Sequence, residues 1–150
     1  MIITKRYVLD TNILLAYFNQ VFNSMQKLSP VVHKILDSAI QNSETPNRLS
    51  IPSIVFIEIY EKWLNSDELY RKFFYEVYTP ICDSPNIEIR SIDREILENI
   101  QNFDGLMRSH DLHDKIVLAS AVALNCTLIT TDSIIKDYVD RTKIIPEVIN

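Results

Sequence analysis

The tightest constraint on the fold is the run Tyr7-Val8-Leu9-Asp10-Thr11-Asn12-Ile13-Leu14-Leu15-Ala16. Three apolar residues, then an acid, a hydroxyl and an amide, then apolar residues at helical spacing read as a buried strand, a sharp corner and a helix start. Thr11 or Asn12 is expected to cap that helix through a side-chain oxygen. Asp10 then stands at the carboxyl end of the first strand, where open α/β sheets place their ligands. Taken alone, an acid at that corner is equally well explained as a helix cap.

The same alternation continues along the chain. Strands are expected over 48–51, 87–92 and 127–130, with 143–145 as a last edge strand ended by Pro146. Helices are expected over 30–41, from Pro52-Ser53 to about Leu64, over 67–78, from a cap at Asp93 to Phe103, over 110–125 and over 134–139. Residues 41–47 read as a loop, Thr79-Pro80 as a helix stop and Asp104-Gly105 as a turn. On 30–41 the inward residues are expected to be Val31, Ile35, Leu36 and Ile40. On 110–125, the most amphipathic stretch, they are Leu112, Ile116, Leu118, Ala119, Val122 and Ala123. Leu69, Tyr70, Phe73, Phe74, Val77 and Tyr78 make 67–78 an aromatic helix that fits a core, or otherwise a partner groove or dimer face. Strands alternating with helices, with no linker between them, predict one α/β domain over 1–150 around a mostly parallel sheet.

Composition excludes several functions. With Gly105 as the single glycine, neither a Walker A loop nor a GxGxxG dinucleotide turn can be built. Cys82 and Cys126 are the two cysteines, without CxxC spacing, and Cys126 lies among apolar residues. A reduced, cytoplasmic chain is expected. No run is long enough to cross a bilayer, and Met1-Ile2-Ile3-Thr4-Lys5-Arg6 lacks the features of a signal peptide. The net charge of −5 argues against a basic nucleic-acid face. However, Asp10, Glu58, Asp111, Asp114 and Asp132 carry five negative charges between them, so the rest of the chain balances to zero. Divalent cations among those acids would invert the local field.

Those acids occupy related positions. Asp10 and Asp132 each follow an apolar strand, and in a parallel sheet both corners lie on one edge. Glu58 interrupts the apolar run Ile54-Val55-Phe56-Ile57, where a carboxylate is costly unless paired, protonated or metal-bound. Its alternative is a solvent-facing position beside Glu61 and Lys62. Asp111 and Asp114 project from one side of a helix start, where either acid singly would suit the helix dipole. Together the acids make an oxygen-rich cluster suited to a hard cation, Mg²⁺ or Mn²⁺. His110 and His113, interleaved with Asp111 and Asp114, leave a transition metal open, whereas His33 reads as an ordinary surface residue.

Four segments in this order resemble the PIN-domain family, and within it the VapC-type toxins of toxin–antitoxin pairs. Tyr7-Val8-Leu9-Asp10-Thr11-Asn12-Ile13-Leu14 is similar to the opening motif. Ile51-Pro52-Ser53-Ile54-Val55-Phe56-Ile57-Glu58 resembles the second, Leu112-His113-Asp114-Lys115-Ile116-Val117-Leu118-Ala119 the third, and Leu128-Ile129-Thr130-Thr131-Asp132 the last. The resemblance covers nearly the whole chain. It implies a three-layer α/β/α domain with a mostly parallel sheet of four to five strands. It also implies a hydrolase, an endoribonuclease using one or two Mg²⁺ or Mn²⁺ ions, with RNA as substrate and an antitoxin or a second copy as partner. Asp10, Glu58, Asp114 and Asp132 take the catalytic and metal-binding positions and Asp111 an accessory one. Thr11, Asn12 and Thr130 support the site by hydrogen bonds, and Lys115 and Arg108 are candidate phosphate contacts. Two departures stand out: Ser133-Ile134-Ile135 follows Asp132 where many relatives carry a basic or aromatic residue, and 67–85 matches no motif. Alternatives are a stand-alone RNA-processing nuclease, a non-catalytic RNA- or partner-binding scaffold, and a haloacid-dehalogenase-type phosphatase. The last requires an acid where this chain has Asn12.

Overall fold

A computed structural model describes residues 3–41 and 44–150; Met1, Ile2 and the loop residues Asn42 and Ser43 lie outside the described residues. The elements run β1 (Lys5–Leu9), α1 (Thr11–Tyr17), α2 (Asn19–Phe22), α3 (Pro30–Gln41), β2 (Asn47–Pro52), α4 (Ser53–Lys62) and α5 (Asp67–Phe73). A π-helical turn (Phe74–Tyr78) leads into α6 (Thr79–Asp83), then β3 (Ile87–Arg90), α7 (Arg94–Gln101) and α8 (Gly105–Arg108). The chain closes with α9 (Leu112–Leu124), β4 (Thr127–Ile129), α10 (Ser133–Thr142) and β5 (Val148–Ile149).

The five strands form one parallel sheet in the order β3-β2-β1-β4-β5. From β1 the chain steps outward through β2 to β3, then crosses to the other side of β1 to place β4. The strand order therefore reverses between β1 and β4, the point where parallel sheets leave a crevice beyond their carboxyl ends. Consecutive residues of the central strands are buried, Tyr7, Val8 and Leu9 in β1 and Leu128 and Ile129 in β4, although their side chains alternate between faces. Both faces are thus covered by helices, which gives the expected three-layer α/β/α fold. Helix α9 packs across β1, β2 and β4 and against α4 and α7, while α3 lies on β2.

Several expectations need correction. Thr79-Pro80 does not stop the aromatic helix. The backbone stays helical through Tyr78 and Thr79, and the Thr79 N–H donates to the Phe74 carbonyl five residues back. Pro80 has no N–H, and its ring presses on the preceding turn; the widened π turn ahead of it accommodates both. The last strand is not 143–145: α10 runs to Thr142, Lys143 ends it in the left-handed region at φ 55°, and β5 forms beyond Pro146. Ile145 is buried, so the apolar signal there reports core packing rather than strand pairing. Asp104-Gly105 opens the short α8. On α3 the inward set is Val32, Ile35, Leu36 and Ala39, and Val31 faces solvent. On α9 six consecutive residues from Ile116 to Ala121 are buried and Leu112 is exposed. A helix buried on all sides has no polar face to set a stripe.

Candidate metal centre

Asp10 leaves β1 as the N-cap of α1, as the sequence allowed for this acid, while Thr11 and Asn12, the other capping candidates, lie within the helix. Its Oδ1 accepts the Thr11 N–H at 2.8 Å, and its own N–H donates to the Ile129 carbonyl at 3.0 Å, which pins it to β4. The Thr130 hydroxyl, just beyond β4, donates to Asp10 Oδ2 at 2.7 Å and accepts the Asp132 N–H at 3.1 Å. One buried hydroxyl thereby ties the two strand-end acids together. Asp132 is the N-cap of α10, its Oδ1 accepting the Ile134 and Ile135 N–H groups at 2.8 and 3.1 Å.

The third acid arrives on α9. Asp114 lies in the first turn of that helix, and Asp111 caps it by accepting the His113 N–H at 2.9 Å. His110, in the short connection from α8, brings its Nε2 to 2.8 Å from Asp132 Oδ2 and 3.2 Å from Asp114 Oδ2. Ligand atoms of His110, Asp114 and Asp132 all lie within 4.8 Å of one another. Glu58, on α4, sits at the edge of this group: its side chain is 18% exposed, and Oε2 is 3.9 Å from His113 Nδ1. His113 Nδ1 also lies 3.4 Å from Asp111 Oδ1.

Electrostatics join the acids where distances alone do not. Burial raises the Asp10 carboxyl above its ordinary value, opposed by its bonds to Thr130 and Thr11 and reinforced by the Asp132 charge. Burial, then the charges of Asp10 and Asp132, push Asp114 up to about 7. Glu58 is raised by burial, with Lys62 and His113 pulling it back and Asp10 adding to the rise. Burial also works upward on Asp111, but the His113 N–H and the His113 and Lys62 charges leave it lowered. Carboxylates raised by burial and by one another are the arrangement that a bound cation relieves. The donor set, oxygen-rich with one converging imidazole, therefore fits a divalent metal.

The remaining candidates differ in their relation to this centre. Thr11 is buried and holds Asp10 through its backbone, whereas Asn12 is exposed on the first turn of α1. The Lys115 ammonium donates to the Arg108 carbonyl at 2.9 Å and so caps α8, a structural contact; the Arg108 residue itself is exposed. His110, which the sequence left open together with His113 as a transition-metal ligand, is the histidine whose ring converges on Asp114 and Asp132. Its spacing of four before Asp114 was the available signal, because the intervening loop gives no helical register to predict where its ring points.

Comparison with known proteins gives the family. The PIN domain profile matches residues 7–140, and the chain belongs to the PIN domain family. No curated protein sequence matched. Among solved structures, VapBC2 from Rickettsia felis bound to a DNA fragment from their promoter is similar at 20% identity and a TM-score of 0.60, covering 96% of each chain. FitAcB from Neisseria gonorrhoeae is similar at 17% identity and 0.62, again with 96% of each chain covered. A toxin–antitoxin complex from Klebsiella pneumoniae shares 23% identity at 0.58 over 96% of each chain. At these identities the likeness is one of fold.

Proposed function

We propose that the chain is a divalent-cation-dependent endoribonuclease that serves as the toxin of a VapBC-type pair. The observation that carries this reading is the meeting of Asp114 and Asp132, with His110 between them, at the point where the strand order reverses; Asp10 is tied to Asp132 through the Thr130 hydroxyl, and Glu58 lies beside His113. Asp10, Asp114, Asp132 and Glu58 would hold Mg²⁺ or Mn²⁺, with Asp111 beside them. The bound cation would acidify a water and neutralise charge on a phosphodiester in the transition state.

The protein's own part is positioning. Thr130 and Thr11 fix both Asp10 oxygens, and the α10 amides fix one Asp132 oxygen, leaving Oδ2 directed at the centre. The amino ends of α9 and α10 lend partial positive charge to this edge, which favours an anionic substrate. A groove lined by Tyr17, Phe18, Gln26, Lys27, His33 and Glu76 is linked to the loop before Asp132 through Gln26, which donates to Thr131 at 3.2 Å. Aromatic faces and a lysine suit single-stranded RNA, and the exposed Arg108 remains a candidate phosphate contact. The partner reading is supported by the similar structure solved as a toxin–antitoxin complex and by the exposed aromatic residues Tyr60, Tyr70, Phe74 and Tyr75.

The test is cleavage of single-stranded RNA with added Mn²⁺ or Mg²⁺, stopped by EDTA. Asp10→Asn should remove at least ~2–4 kcal/mol of transition-state stabilisation, by analogy with loss of a preorganised electrostatic contact. Undiminished turnover in that variant refutes the assignment. Growth arrest on expression, abolished by Asp10→Asn, separates a toxin from a stand-alone processing enzyme.

A further inference from the structure

The acids account for a cation site, but not for the ring at its centre. His110 Nε2 faces two carboxylate oxygens, Asp132 Oδ2 at 2.8 Å and Asp114 Oδ2 at 3.2 Å, and its side chain is only 16% exposed. One ring nitrogen carries at most one proton, so it cannot donate a full hydrogen bond to both oxygens. Those separations are also the spacing of neighbouring donors around a small octahedral cation, about 3 Å for metal–oxygen bonds of about 2.0–2.1 Å. The ring is held in place from its backbone, because the His110 N–H donates to the Met107 carbonyl at 3.3 Å and Lys115 ties α8 to α9. The other Asp132 oxygen is already committed to the α10 amides, so Oδ2 is the oxygen left to share a ligand with the ring.

Resting on the reading of this centre as a cation site, we infer that His110 is a nitrogen ligand of the metal and that the site selects Mn²⁺ over Mg²⁺. Carboxylate and water suit both ions, whereas imidazole favours the transition metal, since Mg²⁺ is a hard cation that keeps oxygen ligands and its own waters. His113 does not take this role: its ring nitrogens lie beside Asp111, Glu58 and Glu61, and the imidazole that converges with Asp114 and Asp132 is that of His110.

The test is pulsed EPR of the Mn²⁺-loaded protein, which detects hyperfine coupling to a directly bound imidazole nitrogen, paired with calorimetric titration of Mn²⁺ and Mg²⁺. Wild type and His113→Ala should both show the nitrogen coupling, and His110→Gln should lose it. His110→Gln should weaken Mn²⁺ by at least about tenfold, the lower end for loss of a ligand-supporting residue, while Mg²⁺ affinity stays within about twofold. The wild-type and His113→Ala spectra test the inference even if His110→Gln folds poorly. If Mn²⁺ binds and Asp114→Asn abolishes that binding, but wild type shows no nitrogen coupling, the inference is overturned and the cation-dependent reading stands. Coupling that disappears in His113→Ala also overturns it. If wild type binds neither ion, both the inference and the proposed function fall.

Discussion

Asp114 has an unusual consequence for stability. Its carboxyl titrates near 3.8 in the unfolded chain and at about 7 in the fold, raised first by burial and then by Asp10 and Asp132. Between those values the folded state holds a proton that the unfolded state has released. Metal-free stability should therefore fall as pH rises from about 4 to about 7, the reverse of a salt-bridged aspartate. Thermal melts in EDTA should show a higher midpoint at pH 5 than at pH 7.5, and Asp114→Asn should flatten that decline; an unchanged slope in the variant would place the raised group elsewhere. Thr130 offers a second residue-level test. Thr130→Val keeps the shape but removes the hydroxyl shared by Asp10 Oδ2 and the Asp132 N–H. With buried polar groups left unsatisfied, urea unfolding should show a loss of about 1–3 kcal/mol. The position of Asp10 was legible because a strand end fixes where its next residue points, and that of Asp132, three residues beyond β4, because an acid ahead of an apolar helical run is placed as its cap. Which of His110 and His113 turns to the acid pair, and the capping use of Lys115, were not legible, since both depend on how the α8–α9 connection folds.

The elements were easier to read where one physical cause sets them. Buried parallel strands appear as short apolar runs, and Asp93 appears as a cap, which it is, accepting the Ile96 N–H at 3.1 Å. The misread elements are those where two causes compete. Around Pro80 the missing N–H argued for a stop, while the packing of Phe73, Val77 and Ile81 keeps one helical rod running into the core. At 143–145 burial imitated strand propensity. In α9 the stripe was mistaken because almost every middle position is buried, and this helix carries Asp111 and Asp114 to the centre. Its packing should therefore be coupled to the site. Leu118→Ala, at a fully buried position one turn beyond Asp114, should cost about 2–5 kcal/mol, read by urea denaturation. It should also weaken Mn²⁺ binding, although Leu118 touches no ligand. Stability loss with unchanged metal affinity would mean that the amino end of α9 is held by its Asp111 cap and Lys115 rather than by its core.

At the scale of the whole molecule the charge balance ties stability to the cation. The formal net charge of −5 equals the formal charge of Asp10, Glu58, Asp111, Asp114 and Asp132 together, so the rest of the chain balances to zero. No described helix is long and apolar enough to cross a membrane, and the centre stands at the carboxyl side of the sheet, beside the reversal of strand order between β1 and β4. Without a cation, burial and mutual repulsion raise the Asp10, Glu58 and Asp114 carboxyls, and Asp114, pushed up to about 7, holds its proton through the mildly acidic range. A cation that binds only the folded chain adds stability in proportion to the logarithm of its excess, about 2.7 kcal/mol at a hundred times its dissociation constant. For a domain of this size each kcal/mol moves the melting midpoint by roughly 2–4 °C, so saturating Mn²⁺ should raise it by about 5–11 °C at pH 7.5. The rise should shrink at pH 5, where protons compete for Asp114, and nearly vanish in Asp10→Asn at either pH. A midpoint that ignores Mn²⁺ would mean that protonation alone relieves the clustered charge, and that the acids converge for the sake of helix caps rather than for a metal.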